Sequence, residues 1–77
     1  MERLSDVEVF VRVVEASSFS RAAEQLGISR SYASRMVSGL EARLAVRLLH
    51  RTTRKVATTA TGQWFYETSA PLIECLD

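Results

Sequence analysis

The chain has 77 residues, of which 47% are hydrophobic and 25% charged, and its formal net charge is +1. These values are typical of one small folded domain and exclude a disordered chain. A single cysteine and a single histidine exclude a disulfide framework and a zinc site built from this chain alone. No apolar run is long enough to span a membrane and the N-terminus lacks a signal-peptide pattern, so we expect a cytoplasmic protein.

The low net charge conceals a strong segregation of charge along the chain. Residues 1–28 carry three arginines and five acids, a balance of −2. Residues 29–62 carry six arginines and one lysine against Glu41 alone, a balance of +6, and residues 63–77 carry three acids and no base, a balance of −3. A basic middle segment between acidic flanks indicates an anionic partner that binds at that segment.

A first helix is predicted from Ser5 to about Ala16. Ser5 and Glu8 have the spacing of a capping box, with Ser5 as the N-cap. A strand is the competing interpretation because β-branched residues are frequent here. The cap and the helical spacing of the apolar residues favour a helix with this inward stripe: Val7, Phe10, Val11 and Val14.

The next two helices are predicted to form a helix-turn-helix. Ser20 is the expected N-cap of a short helix over Arg21 to Leu26, Phe19 before it packs into the core, and Gly27 ends the helix. Ser29 is the expected N-cap of a longer helix that ends at Leu44. The alternative is an αα-hairpin of a small bundle, which would not need the polar outer face described next.

The predicted third helix has two faces of different chemistry. Its inward stripe has the spacing i, i+4, i+7 and i+11: Ala33, Val37, Leu40 and Leu44. Its outward face, with Arg30 beside the N-terminus, contains no acid: Ser31, Ser34, Arg35, Ser38 and Ala42. Short hydroxyl side chains permit close approach to a polyanion, and arginines reach phosphates or guanine edges. The stretch is therefore predicted to be a DNA recognition helix.

A two-stranded wing is predicted after the third helix. Two short β-segments, about Leu49 to Arg51 and Val56 to Thr58, are joined by residues 52–55. The tip would carry Arg51, Arg54 and Lys55 to where they straddle a DNA backbone or enter a minor groove. The alternative is a solvated basic turn. His50 is expected at the surface or in the wing rather than as a metal ligand.

A last helix is predicted over about Ala60 to Leu76, with Thr59 or Thr61 as its cap. One apolar stripe would contain Phe65, Ser69, Leu72 and Leu76, and Trp64 and Tyr66 widen it. This is more apolar surface than a monomer of this size covers, so a partner helix is expected. Pro71 predicts a kink, or a helix that breaks and restarts, and Cys75 is expected to act as a small apolar residue.

Residues from one end of the chain to the other form a combined pattern: Leu4, Phe10, Ser18-Phe19, Ala22-Ala23, Leu26, Ser29, Ser34-Arg35, Leu40-Glu41, Leu44, Leu48, Arg51, Arg54, Thr59 and Gly62. This pattern resembles the N-terminal DNA-binding domain of LysR-type transcriptional regulators. The resemblance implies a mainly α fold, with a winged helix-turn-helix over residues 1–59 and a linker helix for dimerisation over residues 60–77.

The resemblance also implies a bacterial regulator that binds an interrupted palindromic operator in double-stranded DNA as a homodimer, with higher oligomers in the full-length protein. A small-molecule effector would act only through a further domain that this sequence does not include. Base-edge contacts would come from the start of the third helix: Arg30, Ser31, Tyr32, Ser34 and Arg35. Phosphate and wing contacts would come from Ser18, Ser20, Ser29, Ser38, Arg51, Thr53, Arg54 and Lys55. Dimerisation would use Trp64, Phe65, Leu72, Ile73 and Leu76.

Some residues depart from the family pattern. Ser31 stands where proline is frequent, Tyr32 where a small residue is usual, and Arg30 where glutamine is frequent. The change to Arg30 would shift the preferred base from adenine toward guanine. Gly39 lies inside the third helix at a cost of about 1 kcal/mol relative to alanine. Ala45 replaces the usual terminal glycine, so the helix is expected to run on slightly or to end less sharply.

The leading hypothesis is sequence-specific binding of double-stranded DNA by a dimer. The alternative is a protein-interaction winged helix that recruits a partner through its apolar last helix. An enzyme is disfavoured because the three glycines are too far apart for a phosphate-binding loop and the single His and Cys suggest no catalytic triad. No cofactor is expected.

Overall fold

The computed structural model describes residues 5–50 and 56–76, with side chains up to residue 72. Within these residues, four helices and one antiparallel strand pair follow in the order α1 (Asp6–Ala16), α2 (Phe19–Leu26), α3 (Arg30–Leu44), β1 (Leu49–His50), β2 (Ala57–Thr58) and α4 (Ala60–Leu76). This order confirms the predicted fold class, a mainly helical winged helix-turn-helix followed by a further helix. No helix in the described part of the chain is long and apolar enough to span a membrane.

Helix α1 lies at the centre of the domain, since α2, α3 and α4 all pack against it. Its predicted cap is confirmed, because Ser5 Oγ accepts a hydrogen bond from the Glu8 N–H at 3.0 Å. The predicted inward stripe is confirmed, because Phe10 and Val11 are buried and the half-buried Val7 and Val14 pack against the core. The fully covered residues are Val9, Phe10, Val11 and Val13. Three neighbouring helices cover a wider face of α1 than one stripe provides.

Helix α2 begins two residues before the predicted start. Its N-cap is Ser18, whose Oγ accepts from the Arg21 N–H at 3.1 Å, whereas the expected cap Ser20 lies exposed inside the helix. The helix includes Phe19 because this side chain packs against the core, as predicted, from the first turn. Gly27 ends the helix as expected, with a φ of 71°.

Helices α1, α2 and α3 end in the same way, with one residue in the left-handed region. These residues are Ser17 (φ 54°), Gly27 (φ 71°) and Ala45 (φ 58°). In each case the following N–H bonds to a carbonyl five residues back: Ser18 to Val13, Ile28 to Ala23, and Val46 to Glu41. The helix ends at Leu44 as predicted, and the expectation that alanine at position 45 lets it run on slightly or end less sharply is wrong, because this Schellman motif ends the helix even without glycine.

The core of the domain lies between these helices and the start of the wing. Ala33, Val37 and Leu40 of α3 are buried as predicted, but Leu44 is 41% exposed. Leu44 is the last residue of α3 and follows Arg43, whose Nη2 lies 2.8 Å from Oδ2 of Asp6 at the start of α1, so Leu44 lies at the edge of the core. The apolar core of the described chain consists of Val9, Phe10, Val11, Val13, Ala22, Ala23, Ala33, Val37, Leu40, Leu48, Leu49 and Ala70.

The predicted wing is present as a short strand pair. Leu49 pairs with Thr58 and His50 with Ala57, in antiparallel register. Val56 precedes the second strand, and Arg51 with the rest of the predicted tip lies outside the described residues. His50 is exposed on the first strand, as expected, whereas Leu48 and Leu49 are buried. A pair this short is not stable alone, so its buried leucines anchor it to the helices.

Helix α4 has Thr59 as its cap, because Thr59 Oγ1 accepts from the Gly62 N–H at 2.9 Å. The helix is continuous through Pro71, so the predicted break does not occur; the predicted kink stays a prediction. Of the predicted stripe, Ser69 is buried, Phe65 is half-buried and Leu72 is 64% exposed, as expected for apolar surface that the monomer does not cover. The face turned toward the domain contains Gly62, Phe65, Tyr66, Ser69 and Ala70, which recur at i, i+3, i+4, i+7 and i+8.

The strained end of α3 predicts that Ala45→Gly stabilises the domain. Glycine adopts positive φ without steric cost, whereas the left-handed region costs other residues about 1–2 kcal/mol. After the entropy that glycine adds to the unfolded chain, we expect a gain of about 0.5–1 kcal/mol in the free energy of unfolding. Chemical denaturation measures it. The same substitution at Ala42, which is helical and exposed, should instead cost up to about 1 kcal/mol.

Candidate nucleic-acid interface

The N-terminal half of α3 presents a polar outer face above a buried apolar stripe. Ser29 caps the helix by accepting from the Tyr32 N–H at 3.0 Å, which orients the first turn. The residues predicted to contact base edges are mainly at the surface: Arg30, Ser31, Tyr32 and Arg35 are exposed, and Ser34 is half-buried. Because Ala33, Val37 and Leu40 are buried behind them, the predicted orientation of this helix is confirmed.

Glu41, the one acid in α3, does not contribute to this outer face as a free charge. Its Oε2 atom accepts hydrogen bonds from the N–H groups of Leu48 at 2.8 Å and Leu49 at 3.0 Å. Glu41 is half-buried, and its carboxylate is hydrogen-bonded to the backbone that leads into β1. This role of Glu41 was not predicted from the sequence, although a lone acid within a strongly basic segment was a signal for it.

The arginines of the basic segment fall into different environments. Arg30 and Arg35 are exposed on the outer face of α3, and Arg47 is exposed before β1. Arg43 instead forms an ion pair with Asp6, at 2.8 Å, on the side of α3 that faces α1. Among the described arginines of this segment, Arg30 and Arg35 therefore place positive charge on the outer face of α3, whereas the charge of Arg43 is paired with an acid of α1.

Ser18, Ser20 and Ser29, which were predicted to bind phosphates, lie at or near helix starts, whereas Ser38 lies in the middle of α3. Ser18 and Ser29 are the N-caps of α2 and α3, so their oxygens already accept backbone N–H groups. Their hydroxyl protons can still be donated to an anion. Ser20 and Ser38 are exposed, and Ser38 takes part in a further interaction within the domain. Their contacts with phosphates stay predictions.

The wing base, which we define as Arg47, Leu48 and Leu49, is held by α4 as well as by Glu41. Thr59 Oγ1 donates to the Arg47 carbonyl at 2.6 Å, and the Thr59 N–H donates to the Leu48 carbonyl at 3.0 Å. The other predicted wing residues, Arg51, Thr53, Arg54 and Lys55, lie outside the described residues. The structure therefore describes where the wing starts and returns.

Gly62 allows α4 to pass directly over the wing base. A Cβ atom at this position would lie 1.9 Å from the Leu48 carbonyl oxygen and 2.8 Å from its carbon. No side chain can be accommodated at such distances without moving backbone. This close approach fixes the start of α4 against the strand pair.

The residues predicted for dimerisation whose side chains are described fall into two groups, exposed on α4 or packed within the domain. Trp64 and Leu72 are each 64% exposed on α4. Phe65 is half-buried and packs within the domain, with its ring centroid 5.7 Å from that of Phe10. The side chains of Ile73 and Leu76 lie outside the described part of α4.

No group of His, Cys, Asp and Glu side chains that could hold a metal ion occurs among the residues that the structure describes.

Comparison with known families shows a match over most of the chain. The model of the bacterial regulatory helix-turn-helix proteins of the lysR family matches residues 4–63. The chain belongs to the LysR family. The match covers the helix-turn-helix, the strand pair and the start of α4, and so includes every element of the candidate interface.

LysR-family relatives match along the length of this chain. An HTH-type transcriptional repressor of Pseudomonas aeruginosa is 42% identical over 77 residues, which is all of this chain and 24% of the relative. The regulator CrgA of Neisseria meningitidis is 45% identical over 69 residues, 90% of this chain and 23% of CrgA. The chain thus spans about a quarter of the length of these relatives.

Solved structures of LysR-type proteins share the fold. The crystal structure of the BenM DBD in complex with catB site 1 DNA superposes with a TM-score of 0.89 at 39% identity, covering 94% of this chain and 77% of that chain. The full-length structure of AphB, a virulence activator of Vibrio cholerae, gives 0.89 at 35% identity, covering 97% and 26%.

The contact at Gly62 predicts that Gly62→Ala destabilises this LysR domain strongly. The added methyl group must displace either α4 or the Leu48 backbone, and overpacking of this kind costs on the order of 3 kcal/mol. The control is Gly39→Ala, where an added Cβ meets nothing within 4 Å. There we expect a gain of about 1 kcal/mol from helix propensity. Thermal unfolding of both variants measures the contrast, and equal effects would contradict it.

Proposed function

We propose that this chain binds double-stranded DNA sequence-specifically as the DNA-binding domain of a bacterial LysR-type transcriptional regulator. The observation that carries the proposal is the outer face of α3, which exposes Arg30, Ser31, Tyr32 and Arg35 while Ala33, Val37 and Leu40 hold it from behind. The similarity to a BenM DBD bound to DNA supports it. We propose that α3 enters the major groove.

The exposed side chains of α3 suit readout of base edges. An arginine forms a bidentate pair with the O6 and N7 atoms of guanine, so Arg30 and Arg35 are proposed to select guanines. Ser31 and Ser34 have short hydroxyls that permit a close approach, and the exposed ring of Tyr32 offers apolar contact to a thymine methyl. The positive end of the helix dipole at Ser29 adds attraction for a nearby phosphate.

The wing is proposed to contact the backbone or the adjacent minor groove. Its first strand begins directly after the buried Leu48, at the buried Leu49. The cationic residues Arg51, Arg54 and Lys55 follow along the chain. Contacts of this kind supply affinity that depends on salt and little on sequence. Residues 1–59 would then form the binding unit, with residues 60–77 as the linker helix.

The dimer is proposed to form through α4. Trp64 and Leu72 expose large apolar surfaces that a second copy of the helix would cover. A two-fold dimer presents two α3 helices to two half-sites, so the operator would be an interrupted palindrome with half-sites separated by whole helical turns.

A protein-interaction module is the second candidate, favoured by the same exposed Trp64 and Leu72. Heparin chromatography separates the two candidates. A DNA-binding domain should be retained at low salt and released sharply as salt rises, whereas an interaction module should pass through. Selection of bound duplexes from a random oligonucleotide pool then returns the half-site sequence and its symmetry; enrichment of no sequence would reject the proposed function.

Two substitutions should weaken DNA binding in different ways. We expect Arg35→Ala to cost about 1–3 kcal/mol on the selected duplex and to relax discrimination at one base position, because it removes a base-edge contact. We expect Arg54→Ala to weaken all sequences evenly and to lower the slope of log K against log salt concentration by about one. Fluorescence anisotropy across a salt series measures both.

The control for these substitutions is Arg12→Ala. Arg12 lies on α1 and is paired with Glu15 at 3.4 Å, so its removal changes the net charge equally without touching the outer face of α3. If all three variants bound the selected duplex alike, the assignment of α3 and the wing would be wrong.

Substitution of the exposed residues of α4 should weaken self-association. We expect Trp64→Ala and Leu72→Ala each to raise the dimer dissociation constant about tenfold or more, because buried aromatic and aliphatic anchors dominate such interfaces. Sedimentation equilibrium measures the constant. Leu44→Ala, which alters an exposed leucine of α3 rather than of α4, should leave it unchanged. A chain that stays monomeric at high concentration would refute the dimer.

A further inference from the structure

Glu41 connects the recognition helix to the wing through one oxygen atom. Its Oε2 accepts from two consecutive N–H groups, those of Leu48 at 2.8 Å and Leu49 at 3.0 Å. Both leucine side chains are buried, so these N–H groups belong to the anchored part of the wing base.

The strand pair alone cannot define where the wing lies. In the described part of the chain each strand has two residues, Leu49 and His50 against Ala57 and Thr58. An isolated hairpin of this kind is at best marginally stable in water. Its position therefore depends on the helices at its base. On the side of α4 the contacts are made by Thr59 and Gly62, and on the side of α3 by Glu41.

The charge of Glu41 is unusual for its place in the chain. It is the one acid among residues 29–62, in a segment whose charge balance is +6. A carboxylate near a DNA surface opposes binding, since phosphates dominate the field there. An acid in this position is accounted for when its oxygen satisfies two half-buried donors that would otherwise cost about 1–3 kcal/mol each.

We propose that Glu41 is a positioning residue for DNA binding, which holds the wing base at a fixed place relative to the outer face of α3. This inference rests on the proposed function of α3 and the wing. When Glu41 holds the wing base, both α3 and the wing contact the same duplex without a further cost of ordering the wing. When these hydrogen bonds are absent, α3 still contacts the base edges, but the wing contributes little to binding.

The test is a double-mutant cycle in which Arg54→Ala reports on the wing and Arg35→Ala on α3. Both are introduced into the wild-type chain and into three Glu41 variants. Glu41→Ala removes the acceptor, and Glu41→Asp retracts it by about 1.5 Å while keeping the charge. Glu41→Gln keeps an acceptor oxygen at the same length while removing the charge. The ligand is the duplex that the wild-type chain selects from the random pool.

We expect Arg54→Ala to lower the salt slope by about one in the wild-type and Glu41→Gln backgrounds, and by close to zero in the Glu41→Ala and Glu41→Asp backgrounds. The fold-change caused by Arg35→Ala should be the same in all four. A merely structural role for Glu41 would change the two penalties together, or neither of them.

The positioning role is wrong if Arg54→Ala has its full effect in the Ala and Asp backgrounds. It is also wrong if Gln behaves like Ala, since loss of charge then explains the result. Should Glu41→Ala fail to fold by circular dichroism, the pair of Asp and Gln makes the same comparison. If the wild-type chain selects no duplex, the proposed function fails and the positioning role fails with it. If it selects a duplex but Arg54→Ala has the same effect in all four backgrounds, the positioning role alone fails.

Discussion

The packing of three helices around α1 is the constraint on which the rest of the structure depends. Val9, Phe10 and Val13 have no exposed surface, and α2, α3 and α4 each contact this helix. In a chain of 77 residues one well-covered helix supplies much of the core. Once α3 packs on α1 through its apolar stripe, its opposite face must point outward. The chemistry of the candidate interface therefore follows from burial of its back.

Electrostatics then sort the charged residues into those that hold the fold and those left at the surface. Asp6 pairs with Arg43, the Tyr66 hydroxyl donates to Glu15, and Glu41 accepts from the wing base. These acids lie in α1 and α3, and none of the three adds an unpaired negative charge to the outer face of α3. The segregation of charge along the sequence thus becomes a segregation in space.

Much of this arrangement was predictable from local signals. The caps Ser5 and Ser29 and the stop at Gly27 are decided by hydrogen bonds within a few residues, which a short motif reveals. Other expectations were wrong where several local signals compete. Ser18 and Ser20 are both acceptable caps, and burial of Phe19 selects Ser18. Position 45 has alanine in place of the usual terminal glycine, yet the hydrogen bond from the Val46 N–H to the Glu41 carbonyl ends the helix there.

The sequence by itself determined which segments are helices and which are strands, the order of these elements, the basic segment and the polar face of α3. It could do so because periodicity and charge are properties of neighbouring residues. Only the tertiary structure decided that Leu44 and Leu72 stay exposed, that Phe65 turns to Phe10, and how Glu41 and Gly62 meet Leu48. These outcomes depend on where one helix ends relative to another. Contacts between residues distant in the chain carry no periodic signal, so they appear only when the elements are packed together.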